Sequence, residues 1–514
     1  MNTAAAAPGV PFPSPLDGDS PRRRLVILVT CCLALVLTAM DATIVNIALP
    51  AIRSDLHATV PELQWSIDAY TIIVASFLLL AGAIADRFGR RRTFQVGLVM
   101  FSLGSLLCSV APNARILVAS RALQAIGGSM LNPVAMSIIV NTFREPAARA
   151  RAIGVWAAVV GLSMALGPLV GGALVDAAGW RWIFWVNVPV GVAAAALTWR
   201  WIPESRADRP RRFDPLGQLL VAIALVCLTY AIIHAPHVGW AAPSTLTLLV
   251  AAAAATAGLL AVEPHRREPL VELRFFRSTP FSTATVCAVA AFVAMGTFLF
   301  VNTLYLQDEL GLSPLAAGVR TLPMAVLAAI CAPLSGRIVA AAGARLPLAV
   351  AGLATAAGAA LLVPIDRGTS FSYLFLAYAL IGAGFGLVNA PITNAATSGM
   401  PRDQAGVAAA IASTSRQVGM SLGVAVSGSL IAGTAGGLPS ALPAVWWLVV
   451  GCGVGISVLG VLGTTSRAQA SAAAVLAAPE REESREPVRT RDATRGLGDA
   501  PSLHGRALDQ GEVA

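Results

Sequence analysis

Apolar runs of about twenty residues recur almost from end to end of this chain, and that repetition leaves few folds open to it. A run of that length crosses the hydrocarbon of a bilayer as a helix, with every backbone polar group bonded inside the segment. The runs fall at 25–48, 65–85, 94–111, 115–140, 152–175, 182–201, 215–234, 242–262, 281–305, 314–341, 346–364, 372–397, 405–432 and 442–463. The fold class that follows is an all-α polytopic membrane protein of about fourteen transmembrane helices. Composition agrees: 56% of residues are hydrophobic and only 12% are charged, against roughly 25% charged in soluble domains.

A net charge of +9 raises the question of nucleic acid, but the placement of the arginines answers it. Arg22–Arg24, Arg87, Arg90–Arg92, Arg144, Arg149, Arg151, Arg206, Arg209, Arg211, Arg212, Arg266, Arg267, Arg274, Arg277, Arg337, Arg345 and Arg402 all fall on one side. The other side shows only Arg53, Arg115, Arg181, Arg320 and Arg367. This is the positive-inside pattern of a multi-pass protein of the cytoplasmic membrane, with both termini cytoplasmic, since fourteen is even. The chain has no lysine, so it lacks the P-loop lysine that an ATP-driven pump requires. Cys31, Cys32, Cys108, Cys227, Cys287, Cys331 and Cys452 show no C-x-x-C spacing, and the five histidines are scattered. No metal site, disulfide framework or cofactor is expected.

The most charged loops flank the seventh and eighth spans. They divide the chain into a cytoplasmic tail (1–24), a six-helix half (25–201), a linker region with two extra helices (202–277), a second six-helix half (278–463) and a tail (464–514). The last segment is rich in Ala, Glu, Arg and Pro without apolar periodicity and reads as disordered. Two such halves place a substrate site between them near the midplane.

Asp41 lies inside the first apolar run. A carboxylate in hydrocarbon costs several kcal/mol, so it should face a bundle interior or a water-filled cavity. At 1.5 Å per residue Asp41 lies roughly 24 Å into its span from the cytoplasmic end, and Arg121 roughly 9 Å into the fourth span from outside. Asp68 belongs to the same outer band. Burial opposes ionisation of a carboxylate and a nearby guanidinium favours it, a balance suited to binding and releasing a proton. Arg121 with one of the two acids is the expected switch; the alternative is a charge pair that only braces helices.

Three further groups stand out. The segment Gly82-Ala83-Ile84-Ala85-Asp86-Arg87-Phe88-Gly89-Arg90 sits between spans two and three. Gly82 would admit a close helix, Gly89 would take the φ > 0 turn, and Asp86 would pair with an arginine or cap a helix. The fifth span carries Gly154, Gly167, Pro168, Gly171 and Gly172, where the proline permits a kink and the glycines tight contact. The second half is poor in acids: between Gly311 and Gly463 only Asp366 and Asp403 occur, both in expected loops. Its intramembrane polar residues include Asn389, Thr393, Asn394, Arg416 and Gln417.

The ordered spacing of the Gly82–Arg92 loop resembles the signature loop of the major facilitator superfamily. Arg121-Ala122-Leu123-Gln124-Ala125-Ile126-Gly127 is similar to its fourth-helix motif, and the fifth-helix glycines to the motif that marks its exporters. Ala39–Pro50, which contains Asp41 and Asn46, resembles the first-helix motif of the fourteen-helix drug:proton antiporters. Trp180–Phe184 with Asn187-Val188-Pro189, and Tyr305-Leu306-Gln307 with Ser313-Pro314, match the same family. Ala125 and Ser163 depart from it by replacing glycines with other small residues.

The resemblance implies a proton-coupled antiporter that exports small lipophilic compounds, cations among them, and functions as a monomer. Asp41, Asp68, Arg121, Gln124 and Asn46 would serve protons and substrate. Gly82, Asp86, Arg87, Gly89 and Arg90 would form the conformational loop, with Asn389, Asn394, Arg416 and Gln417 as cavity candidates. Its partners would be substrate, protons and the bilayer, and it would not be an enzyme. An exporter dedicated to one host metabolite is the alternative. A membrane-embedded enzyme predicts a His, Asp or Lys cluster at one face, which the sequence lacks, and a non-transporting receptor predicts an ordered soluble domain.

Overall fold

Why each helix begins where it does is legible in its first residues. Ser20 accepts the N–H of Arg23 and Pro21 occupies the first turn of α1 (Pro21–Leu56), where a proline costs no hydrogen bond. α2 (Val60–Phe88) opens with a capping box in which Glu62 accepts the N–H of Thr59 at 2.9 Å. α3 (Arg90–Ser109), α4 (Ala114–Thr142), α5 (Pro146–Ala178) and a span over Trp182–Trp201 with a short break near Val186 (α6) complete the first half. The computed structural model describes residues 20–207, 214–266, 272–397 and 405–477.

α7 (Pro215–Val238) and α8 (Pro243–Val262) pack on each other as the linker pair. The second half comprises α9 (Thr279–Leu304), α10 (Pro314–Ala342), α11 (Arg345–Leu362), α12 (Phe371–Thr397), α13 (Ala405–Gly433) and α14 (Gly437–Leu462). A π turn, Tyr305–Glu309, extends α9. All fourteen expected spans are thus helices. Among the described residues, twelve helices are apolar and long enough to cross a membrane outright, and α2, bent by 53° near Leu80, makes a thirteenth when taken as one span. α13 is as long as α4.

The tail is corrected in part. Ser466–Ala477 forms a helix, α15, tied to the start of α9 where Ser471 accepts the N–H of Thr279 at 2.9 Å. Half of its sequence is alanine, the best helix former, and so it is helical without apolar periodicity. The remainder of that tail, residues 1–19, Arg209, Arg211, Arg212, Arg267, Arg402 and Asp403 lie outside the described residues.

Within each half the helices interlock through a common core. α4 packs on α2 and α3, and α5 on α1; in the second half α12 packs on α10 and α11, and α13 on α9. The halves meet through α5 against α10 and α2 against α13, and α7 leans on α2 and α13.

A buried ion pair, a sealed outer seam and a lone guanidinium

α1, α2, α3, α4 and α6 bring the candidate site together. Arg121 and Asp41, 2% and 0% exposed, pair through Nη1 and Oδ2 at 2.6 Å. The Gln124 amide bridges both: its oxygen accepts from Arg121 Nη1 at 2.7 Å and its nitrogen donates to Asp41 Oδ1 at 2.9 Å. Gln124 lies one turn beyond Arg121 on α4, which puts both side chains on one face. Asn187 Nδ2 approaches Asp41 Oδ1 at 3.4 Å and donates to Ser105 Oγ at 3.0 Å, and Ser105 donates to the Phe184 carbonyl. Arg121 Nε donates to the Ser66 carbonyl, and the guanidinium lies 4.4 Å from the Tyr70 ring centroid. A buried charge pair persists only when its remaining donors and acceptors are met in this way.

Sequence reasoning found Asp41, Arg121 and Gln124 but missed Ser105, Asn187, Ser66 and Tyr70. The signal for Asn187 was present, an amide inside an otherwise apolar span. Asp68 and Asn46 do not join the cluster. Asn46 is buried and donates only weakly to carbonyls of its own helix, Ala42 at 3.4 Å and Thr43 at 3.5 Å. Asp68 is fully buried but faces Ser421 of the second half, with neither carboxylate oxygen in hydrogen-bond geometry. One turn earlier on α2, Gln64 Nε2 donates across the same interface to the carbonyls of Val424 and Ala425.

The seam between α5 and α10 is built from two Pro-x-x-x-Gly pairs that meet reciprocally. A Cβ on Gly172 would lie 2.5 Å from the Pro314 carbonyl oxygen, and one on Gly318 would strike the Pro168 carbonyl. Gly167 and Gly171 instead seat α5 on α1, against Thr43 and against Ile44 and Ile47. α5 runs unbroken through Pro168 rather than breaking there. A helix proline leaves the carbonyl four residues earlier without its donor; here that carbonyl, Met164, accepts from Thr43 Oγ1 at 3.3 Å. Gly154 is a correction, because open space surrounds it and it brings no helix close.

The polar contacts between halves gather at the end opposite the arginine-rich loops. Gln307 donates to the Ile47 carbonyl at 2.8 Å, and Arg53 lies 3.5 Å from Asp308. Asp176 Oδ2 accepts from Ser313 Oγ at 2.9 Å and from the Leu315 N–H at 3.0 Å, so one half caps a helix of the other. Asp176→Ala is expected to raise labelling of a cysteine introduced at Leu312, beside the seam, about threefold to tenfold, the loss of one capping carboxylate. Unchanged labelling would mean that the cap does not hold the seam.

In the loop between α2 and α3, Gly89 adopts φ +112°, as expected for a turn that an L side chain resists. Asp86 pairs with Arg90 at 3.0 Å, and the Arg87 guanidinium lies 6.0 Å from the Phe88 ring. Gly82 does not admit a helix: a methyl group there would meet no atom within 4 Å. Sequence reasoning missed Glu204, whose carboxylate accepts the N–H groups of Arg91 and Arg92 and so caps α3 from beyond α6. In the second half, Asn389 donates to Phe385 at 3.2 Å within its own helix. Gln417 is half-buried on α13, and Asn394 is exposed near the end of α12. Arg416 reaches from α13 to Thr393 of α12 at 2.7 Å.

Comparison with known proteins places these features in context. Residues 31–424 match the family model described as Major Facilitator Superfamily. Multidrug resistance protein Stp of Mycobacterium tuberculosis (strain CDC 1551 / Oshkosh) is 35% identical over 411 residues, covering 80% of this chain and 76% of that one. The tetracenomycin C resistance and export protein of Streptomyces glaucescens is 38% identical over 411 residues, with the same coverage. A crystal structure of an auto-inhibited POT family peptide transporter matches with a TM-score of 0.61 at 18% identity, covering 86% of this chain and 96% of that one, a likeness of fold alone.

Proposed function

The chain belongs to the major facilitator superfamily, and on that premise we propose that it exports small lipophilic compounds across the cytoplasmic membrane in exchange for protons. The observation that carries the proton step is the Asp41–Arg121 pair with its Gln124 bridge. With Asp41 ionised, the pair ties α1 to α4 and holds Arg121 against α2. A proton on Asp41 removes the charge that holds the guanidinium, so Arg121 is released and α1, α2 and α4 can shift together. Asp68, buried at the interface with the second half, is a second proton acceptor in this scheme. The arginine-rich loops lie in the cytoplasm, so the sealed end faces outward and substrate enters from inside. The protein works as a monomer and needs no cofactor.

A narrower second reading is favoured by the names of three relatives: the tetracenomycin C protein, and the methylenomycin A and puromycin resistance proteins. In it the chain exports one antibiotic-like metabolite. Proteoliposomes carrying a pH gradient distinguish the readings. Proton-driven movement of several unrelated lipophilic dyes supports broad export. Movement of none, with one metabolite transported, supports the narrow reading. No movement of any compound under a gradient overturns proton-coupled export.

A further inference from the structure

Among the described residues, Arg121 and Arg416 both lie inside membrane-spanning helices, and their surroundings differ. Arg121 has Asp41 as its counter-ion. Arg416 lies roughly 16 Å along α13 from Ala405, and hydroxyls are its hydrogen-bond partners: Ser413 Oγ accepts from Nη1 at 3.2 Å and Thr393 Oγ1 from Nη2 at 2.7 Å. Its Nε is buried with no acceptor. No carboxylate of the described residues forms an ion pair with it, and the second half offers few: from Gly311 to Gly463 the acids are Asp366 and Asp403. Asp366 sits in the turn before α12, at the outer end, where it takes part in local turn bonds with Gly368 and Thr369.

A guanidinium presents five N–H donors in a planar fork that matches a carboxylate, and an intramembrane arginine without an acid marks a ligand pathway. Thr393, which accepts from Nη2, and the next residue on α12, Asn394, are exposed, so that end of the guanidinium lies at an uncovered surface. We infer that Arg416, with Thr393 beside it, is an anion subsite that receives the acidic group of a lipophilic substrate. The inference rests on the export reading and narrows it: acids and phenols with an apolar body join neutral and cationic compounds as substrates. The ligand supplies the counter-ion that the second half omits.

Binding tests this apart from transport. Purified full-length protein in phosphatidylcholine nanodiscs is titrated with 1-pyrenebutanoate and with its methyl ester, read by energy transfer from tryptophan. One charge-assisted hydrogen bond predicts at least about tenfold tighter binding of the acid. Arg416→Gln should bring the acid-to-ester ratio towards one, and Arg416→Lys, which keeps the charge, should retain part of it. Equal binding by wild type, or a ratio unchanged in Arg416→Gln, overturns the subsite while ester binding leaves the export reading standing. Binding of neither compound overturns the lipophilic-substrate reading and the subsite with it. Nanodiscs containing phosphatidylglycerol separate the sources of the anion. Acid preference in both lipids supports a free carboxylate; phosphatidylglycerol retained through Arg416, with no acid preference, overturns it in favour of a lipid phosphate.

Discussion

Asp41→Asn is expected to abolish proton-driven efflux, by at least about a hundredfold, while substrate exchange without a gradient persists. Asparagine removes the charge, as a proton would, and keeps one amide oxygen as an acceptor, but it cannot bind or release the proton, so it holds the site in its uncharged form. Asp41→Ala is expected to do more. It leaves Arg121 buried with neither the anion nor any acceptor from this position, a loss of about 3–5 kcal/mol, and should lower yield and thermal stability as well. The network offers little compensation, because Gln124 Oε1 is the other side-chain acceptor on the same guanidinium nitrogen. Transport assays under an imposed pH gradient, paired with counterflow and thermal unfolding in detergent, check both variants. Full coupling in Asp41→Asn would transfer the proton to Asp68, which is buried in the neighbouring helix.

Gly172→Leu is expected to be the most damaging change outside the ion pair. Any Cβ there meets the Pro314 carbonyl at 2.5 Å and the Leu315 Cα at 2.8 Å. Both are backbone atoms, so α10 itself must move. Overpacking of this kind costs about 1–3 kcal/mol, which is roughly fivefold to 150-fold in an equilibrium between closed and open seams. Spin labels at Ala178 and Leu312 should therefore report a longer distance across the outer end, and transport should fall at least about tenfold. An unchanged distance would show that the seam tolerates a larger separation than its glycines suggest. Gly154→Leu serves as the contrast: open space surrounds that position, and little change is expected.

Much of this architecture could be read from the sequence because the bilayer imposes it. The fourteen runs became fourteen helices, since lipid allows a spanning segment almost no other form. Depth brought Arg121 level with Asp41 and Asp68 but did not choose between the two acids. Depth could not settle the role of Asp68, because a shared level says nothing about which way a side chain faces, and α2 turns Asp68 to the second half. The glycines show the same limit. Gly167, Gly171 and Gly172 meet neighbours whereas Gly82 and Gly154 meet none, and nothing in one sequence distinguishes a small residue at a contact from one in open space. Glu204 and Asp176 act across long sequence separations on the N-termini of α3 and α10. Periodicity within one helix carries no trace of such partners.

The seam described above also bears on how such a protein can change over generations. α5 and α10 are each divided lengthwise into two regimes. Where the proline carbonyls rest on the opposing glycines, even one added carbon forces backbone apart, so these positions are closed to ordinary variation. A few turns away on the same helices, Val155, Leu162, Val326, Ile330 and Leu334 are exposed, and exchanging one apolar side chain for another there disturbs little packing. Point mutations can therefore reshape these surfaces one residue at a time without disturbing the glycine–carbonyl contacts of the seam.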